Sequence, residues 1–186
     1  MNYPYLRKLL LCSFCVSLLG CATTPRQDPW YRPAVGGNSS VMTFENDSPF
    51  FSIGVWYYLD GQSCNDFLRM PFGGRDPTQL EPNRSFKTSV TTEKTFTFRL
   101  FAFRPVTNPS LSGLVCSGVY SADLQSGYDY NVNVAAHGNQ CDVNLTKINK
   151  VQGPSSAAPE TSLRERVPSG KLLGGSDCKP ESNSKK

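Results

Sequence analysis

Residues 126–146 read Ser-Gly-Tyr-Asp-Tyr-Asn-Val-Asn-Val-Ala-Ala-His-Gly-Asn-Gln-Cys-Asp-Val-Asn-Leu-Thr, and their spacing decides the fold. Tyr128, Tyr130, Val132 and Val134 alternate with Asp129, Asn131 and Asn133. Cys141, Val143 and Leu145 then alternate with Asp142, Asn144 and Thr146. A period of two puts the apolar set on one face of an extended strand and the polar set on the other. His137-Gly138-Asn139 between the runs has hairpin composition, so the two strands are antiparallel.

The same period spreads outward through the chain. Phe51, Ile53, Val55, Tyr57 and Leu59 share a face, and Asp60-Gly61 follows them as a second hairpin signal. Phe96, Phe98, Leu100 and Ala102 oppose Thr95, Thr97 and Arg99, while Leu114, Cys116 and Tyr120 alternate with Val115, Ser117 and Val119. No segment of comparable length has helical spacing. Residues 62–93 are broken by Pro71, Gly73, Gly74, Pro77 and Pro82, which predicts a long loop with a short strand around Phe86 to Val90. Strands with one polar face predict an all-β fold, a small antiparallel β-sandwich of six to eight strands, immunoglobulin-like or transthyretin-like.

The ends read differently. Arg7 and Lys8 precede the uncharged run Leu9 to Leu19, which is shorter than the roughly 20 residues that span a bilayer and has the length of a signal-peptide core. Leu18-Leu19-Gly20-Cys21 resembles the lipobox of bacterial lipoproteins. An aliphatic residue stands three before the cysteine and a small residue just before it. Leu19 is bulkier than usual for the family. The resemblance implies cleavage before Cys21 and diacylglyceryl transfer to its thiol, with several acyl chains giving stable anchoring. It also implies a bacterial envelope location, and Ala22 in place of aspartate points to the outer membrane, facing the periplasm. On this reading residues 1–20 are the signal peptide and residues 21–40, rich in Pro, Gly and Ser, are a tether. Residues 41–149 are the sandwich, and residues 150–186, polar and without periodicity, are a disordered tail.

Tyr57 to Gln62, Thr95 to Phe103 and Ser126 to Tyr130 resemble the strand–Asp-Gly–strand, mid-strand and Gly-x-x-Tyr elements of small lipoprotein β-sandwich domains. Cys116 and Cys141 bracket the Gly-Tyr strand as cysteines do in some of them. That likeness implies a fold, and fold does not specify function.

Of seven cysteines, Cys12 and Cys15 fall in the signal segment and Cys21 at the lipidation site. Four remain, an even number in an exported chain. Cys116 and Cys141 both lie inside expected strands and form the first expected pair, which requires adjacent strands or opposing sheets because bridged Cα atoms stand within about 7 Å. Cys64 and Cys178 are then left for each other. The rival is Cys64 with Cys116, leaving Cys141 or Cys178 free. None of the four sits in a Cys-x-x-Cys pair and His137 is the sole histidine, so no metal site or cofactor is expected.

The net charge of +4 comes from the ends, since residues 21–149 hold ten basic and eleven acidic side chains. A nucleic-acid binder carries a basic patch on its folded part, and none is expected here. No nucleophile–base, zinc-protease, P-loop or dinucleotide motif is present. The expected function is non-enzymatic: a membrane-anchored sandwich docking another envelope protein. The alternative is a glycan or small-ligand module using Trp56 and Tyr58, which share a strand face opposite Val55 and Tyr57, with Phe101 and Phe103 beside them. An enzyme is the remote alternative. An open, concave patch at Trp56 and Tyr58 would favour the ligand. Burial of both beside a free strand edge would favour the protein.

Overall fold

A computed structural model describes residues 30–62, 64–72, 79–92, 94–104, 113–167 and 178. Cys21 and the signal segment lie outside the described residues, as do residues 22–29. The described residues form ten strands: β1 (Ser39–Asn46), β2 (Ser52–Asp60), β3 (Asn65–Arg69), β4 (Ser85–Thr91), β5 (Phe96–Phe103), β6 (Leu114–Ala122), β7 (Tyr128–His137), β8 (Gln140–Asn149), β9 (Ala158–Pro159) and β10 (Arg164–Arg166). They form two five-stranded sheets. The first has the order β4-β1-β7-β8-β9 and the second β10-β6-β5-β2-β3. Every pair is antiparallel except β1 with β7.

The hairpin that opens the sequence argument is the longest pairing. β7 and β8 run in register from His137 opposite Gln140 to Tyr128 opposite Asn149. Gly138 turns the chain at φ 60°, a left-handed conformation that glycine adopts without a steric penalty. Tyr130, Val132, Val134 and Leu145 are buried between the sheets, facing Ile53, Val55, Phe96, Phe98 and Leu100. Phe98 sits at the centre, with Phe44 edge-on at 6.0 Å and Tyr120 stacked at 5.7 Å. Such aromatic pairs add about 0.5–1.5 kcal/mol each beyond the area they bury.

Cys116 on β6 and Cys141 on β8 are bonded with their Cα atoms 5.7 Å apart, so this bridge ties one sheet to the other. Cys64 is bonded to Cys178 with a Cα separation of 5.6 Å.

Residues 62–93 hold more structure than a loop. β4 is the short strand expected around Phe86 to Val90, while β3 was not expected, and Leu80 forms a bridge with Ile53 on β2. The buried carboxamide of Asn46 donates to the carbonyls of Phe51, Leu80 and Glu81, fixing this segment where no periodic pattern exists. β3 has only five residues, Asn-Asp-Phe-Leu-Arg, too few to declare alternation.

The sandwich also reaches past the bounds of 41 and 149. Trp30 bridges Arg69 on β3, and the Tyr31 amide donates to the Arg69 carbonyl. The Tyr31 ring meets Tyr57 edge-on at 5.1 Å, and its hydroxyl donates to the Ser89 carbonyl. Burial, with Tyr57 nearby, pushes that phenol up to about 12. Residues 30–40 are therefore part of the domain and no tether. At the other end β9 pairs with β8 and β10 with β6, which makes residues 150–166 a final layer edge where a disordered tail was expected. Strands of two and three residues leave no period to read, and Tyr31 is buried only by long-range contacts.

Candidate functional site: the outer face of the second sheet

Each sheet has one face toward the core and one away from it. On the second sheet the outward positions of β2 are Gly54, Trp56 and Tyr58, because Ile53, Val55 and Tyr57 point inward. Register puts Arg69 opposite Trp56 and Phe67 opposite Tyr58 on β3, with Phe101 opposite Gly54 on β5. Phe103 and Leu114 continue this face toward β6. The outer face is thus as aromatic as the core, and its two ends have different fates.

At one end it is covered. Tyr58 and Val119 are buried with Cys64 and Cys178 in a small cluster of their own. Gly61 lies so close to β5 that a Cβ there would stand 2.6 Å from Thr97 Oγ1, so the turn after β2 admits no side chain. Cys64 closes that turn at φ 53°, its amide donating to the Asp60 carbonyl. Arg166 on β10 is only 4% exposed. Its guanidinium donates to the carbonyls of Gly61 and Gln62 and to Ser121 Oγ, which in turn bonds Thr97 Oγ1. Those hydrogen bonds make the burial of a cation tolerable.

At the other end it is open. Gly54, Trp56, Arg69, Gln79, Phe101, Phe103 and Leu114 line a groove of about 380 Å³. Gly54 contributes no side chain and forms the floor. The Trp56 indole lies flat on Phe67, centroids 4.2 Å apart and planes 9° apart, and Phe101 meets it at 4.5 Å and 64°. Phe101 and Phe103 stack at 6.0 Å, and Arg99 lies over Phe101 at 4.8 Å. Leu114 on β6 stands on one rim, 53% exposed, and Phe67 on β3 at the opposite side of the sheet is 40% exposed. Among the described residues Arg69 is the one ionisable residue in the lining, and it is itself exposed.

Trp56 and Tyr58, two residues apart on one strand face, are therefore separated by function: Trp56 lines the groove and Tyr58 is buried under the disulfide. Gly54, Arg69, Gln79 and Leu114 escaped the reading of the sequence. Only Gly54 carried a signal, since a glycine inside an apolar strand marks a place of close approach.

The groups with displaced pKa values lie elsewhere. Burial raises the phenols of Tyr31, Tyr57, Tyr120 and Tyr130. Partial burial alone would raise Asp123, but hydrogen bonds from Thr95 and Arg164 and the Arg164 charge outweigh it and hold the carboxyl low. Glu160 is likewise held low against its burial by Ser162 and by the Lys147 ammonium. Among the described residues no three His, Cys, Asp or Glu side chains gather as a metal site, and no helix is long and apolar enough to cross a membrane. His137 is exposed at the end of β7.

No protein-family model matches the chain, and no curated protein is significantly similar to it.

Proposed function

We propose that this protein is a non-enzymatic, lipid-anchored component of the bacterial envelope that docks another envelope protein through the groove of the second sheet. The groove itself carries the reading: it is concave, apolar and walled by stacked rings that are already rigid, so an incoming side chain buries area without ordering the receptor. The strand edges favour this route over strand addition. β9 and β10 have two and three residues, Trp30 and Tyr31 occupy the flank of β3, and β4, the seven-residue edge of the first sheet, is partly covered where the Ala34 amide donates to the Ser89 carbonyl. Short or covered edges offer little backbone for pairing. A glycan would want an open flat ring beside convergent polar groups. Neither arrangement that would separate the two readings is met whole, since Trp56 lines an open recess while Tyr58 is buried and the edges are short or covered. Against a glycan, the Trp56 ring is pressed on Phe67, and among the described residues Arg69 and Gln79 are the only polar side chains in the lining.

The lipobox residues Leu18, Gly20 and Cys21 support anchoring, and Ala22 supports placement on the periplasmic side of the outer membrane. Two measurements test the proposal. Cys21→Ser should abolish labelling by an alkyne fatty acid and leave the precursor uncut; processing at the same site in that variant would refute the anchor. Affinity purification after cross-linking in intact cells should recover a stable protein partner, and recovery of none would count against docking.

A further inference from the structure

We infer that the segment received by the groove presents an apolar side chain within a few residues of a carboxylate, and that it belongs to a protein standing at the same bilayer surface. This deepens the docking reading above and rests on it. Three observations lead there.

The first is shape. Phe101 is 9% exposed and Trp56 half-buried, so the rings line a recess and do not project. A flat lipid surface does not reach into a recess floored by Gly54, whereas a side chain on a protein backbone does. At about 380 Å³ the space lies toward the small end of the roughly 300–1,000 Å³ typical of ligand pockets, a size suited to side chains.

The second is charge. Among the described residues Arg69 is the only ionisable one in the lining, and its side chain is exposed. Its planar guanidinium pairs with carboxylates in a two-pronged geometry that a lysine does not reproduce.

The third is the place where the described chain begins. Trp30 and Tyr31 run alongside Arg69, which places residue 30 at the wall of the groove. Tyr31 points into the core, which turns Trp30 to the same outer side as Arg69. Eight residues lie between Cys21 and Trp30, so the nine steps along the chain reach at most about 30 Å when fully extended. An acylated Cys21 thus confines the groove to a thin layer above the membrane, where the partner must also stand.

The test uses the full-length chain in its own cells with Leu114 on the rim replaced by a photo-reactive residue, Leu114→benzoyl-phenylalanine. The adduct is expected to map, by mass spectrometry, to an apolar residue near Asp or Glu in a protein that has a membrane anchor or span. Gly54→Val fills the floor, and Arg69→Glu reverses the charge; each should lower the adduct yield about tenfold, equivalent to about 1.4 kcal/mol of affinity, while Arg69→Lys should keep most of it. Inserting 20 Gly/Ser residues after Thr24 should lower the yield several-fold by diluting the groove away from the surface. Circular dichroism and intact disulfides show that the variants fold, and Arg69→Glu, on an exposed edge strand, serves if Gly54→Val does not. Adducts to phospholipid, adducts within the same chain, or adducts indifferent to both groove substitutions would overturn the inference. A soluble partner indifferent to tether length would overturn its membrane half. Loss of the anchor reading would appear separately, as absent fatty-acid labelling on Cys21 with groove-dependent adducts intact.

Discussion

The two sheets differ most on the faces they turn away from each other. Outside the first sheet lie Thr43, Glu45, Lys87, Asp129, Asn131, Asn133 and Asn144, the ordinary polar cover of an antiparallel sheet. Outside the second lie Trp56, Phe67, Phe101, Phe103, Tyr58 and Val119, with Arg69, Thr97, Arg99, Ser117 and Ser121 interspersed among them. A sheet needs one apolar face to make a sandwich. A second one costs solubility unless something covers it. This protein covers half of it, with β10, Arg166 and the Cys64–Cys178 bridge, and leaves the other half as a groove. The second apolar face is therefore surplus to folding at the groove end, and surplus apolar surface is where binding is expected.

Removing the cover is the most drastic way to break that contrast. Cys64 and Cys178 are 114 residues apart, Cys116 and Cys141 only 25. Chain-entropy arguments put the loss from the double variant Cys64→Ala/Cys178→Ala at up to about 5 kcal/mol, and from Cys116→Ala/Cys141→Ala at about 3–4 kcal/mol. Reversible denaturant unfolding measures both. The first variant should also render Tyr58 accessible to a solvent-borne quencher, and an unchanged Tyr58 would mean that other contacts hold the cover.

A milder comparison sets one outer face against the other. Trp56→Ala removes a stacked, half-buried ring and should cost about 2 kcal/mol, below the roughly 3–5 kcal/mol of a core aromatic. Asn133→Ala, on the polar face, should stay within about 0.5 kcal/mol. Equal costs on the two faces would erase the distinction.

The smallest expected effect is electrostatic. Lys147 lies 3.4 Å from Glu160 at the edge of the first sheet, and Arg164 lies 3.1 Å from Asp123 at the edge of the second. Both carboxyls are held below their ordinary range, so the stability they lend is present above the unfolded values near 4 and is lost as pH falls beneath them. The Glu160 side chain is 3% exposed and that of Asp123 58% exposed, so solvent screens the second pair more. Lys147→Met should flatten the acid limb of the stability curve, and Arg164→Met should flatten it less. Thermal melts between pH 2 and 6 read the difference; equal flattening would contradict the role of burial.

How much of this could be read from sequence follows from the same contrast. Strands with one wet face announce themselves by alternation, so the cores of β2 and β5 to β8 and the antiparallel sandwich were legible in Ile53, Phe98, Val132 and their neighbours. The Cys116–Cys141 pair was legible from placing both in strands, whereas Cys64–Cys178 was left only by elimination with Cys64–Cys116 as its rival. The margins were not legible. Tyr31 sits among prolines and glycines, and Arg164-Glu165-Arg166 is a charged triplet whose last member is buried by three hydrogen-bond acceptors and no hydrophobic signal. The groove was half legible. Trp56, Phe101 and Phe103 stood out, but Arg69 and Leu114 join them only through strand register, and nothing local distinguishes Trp56 from Tyr58.

Connectivity also sets a timetable. In a chain that enters an oxidising compartment N-terminus first, the thiols beyond Cys21 arrive in the order Cys64, Cys116, Cys141, Cys178. The first two are not partners in the finished fold. Cys64 must wait for the last arrival, with Tyr58 and Val119 uncovered beside it in the meantime. In such a compartment an early Cys64–Cys116 bond, made within the second sheet, would leave Cys141 without its partner and the sheets untied, and native protein would form only after that bond is exchanged once Cys178 has crossed.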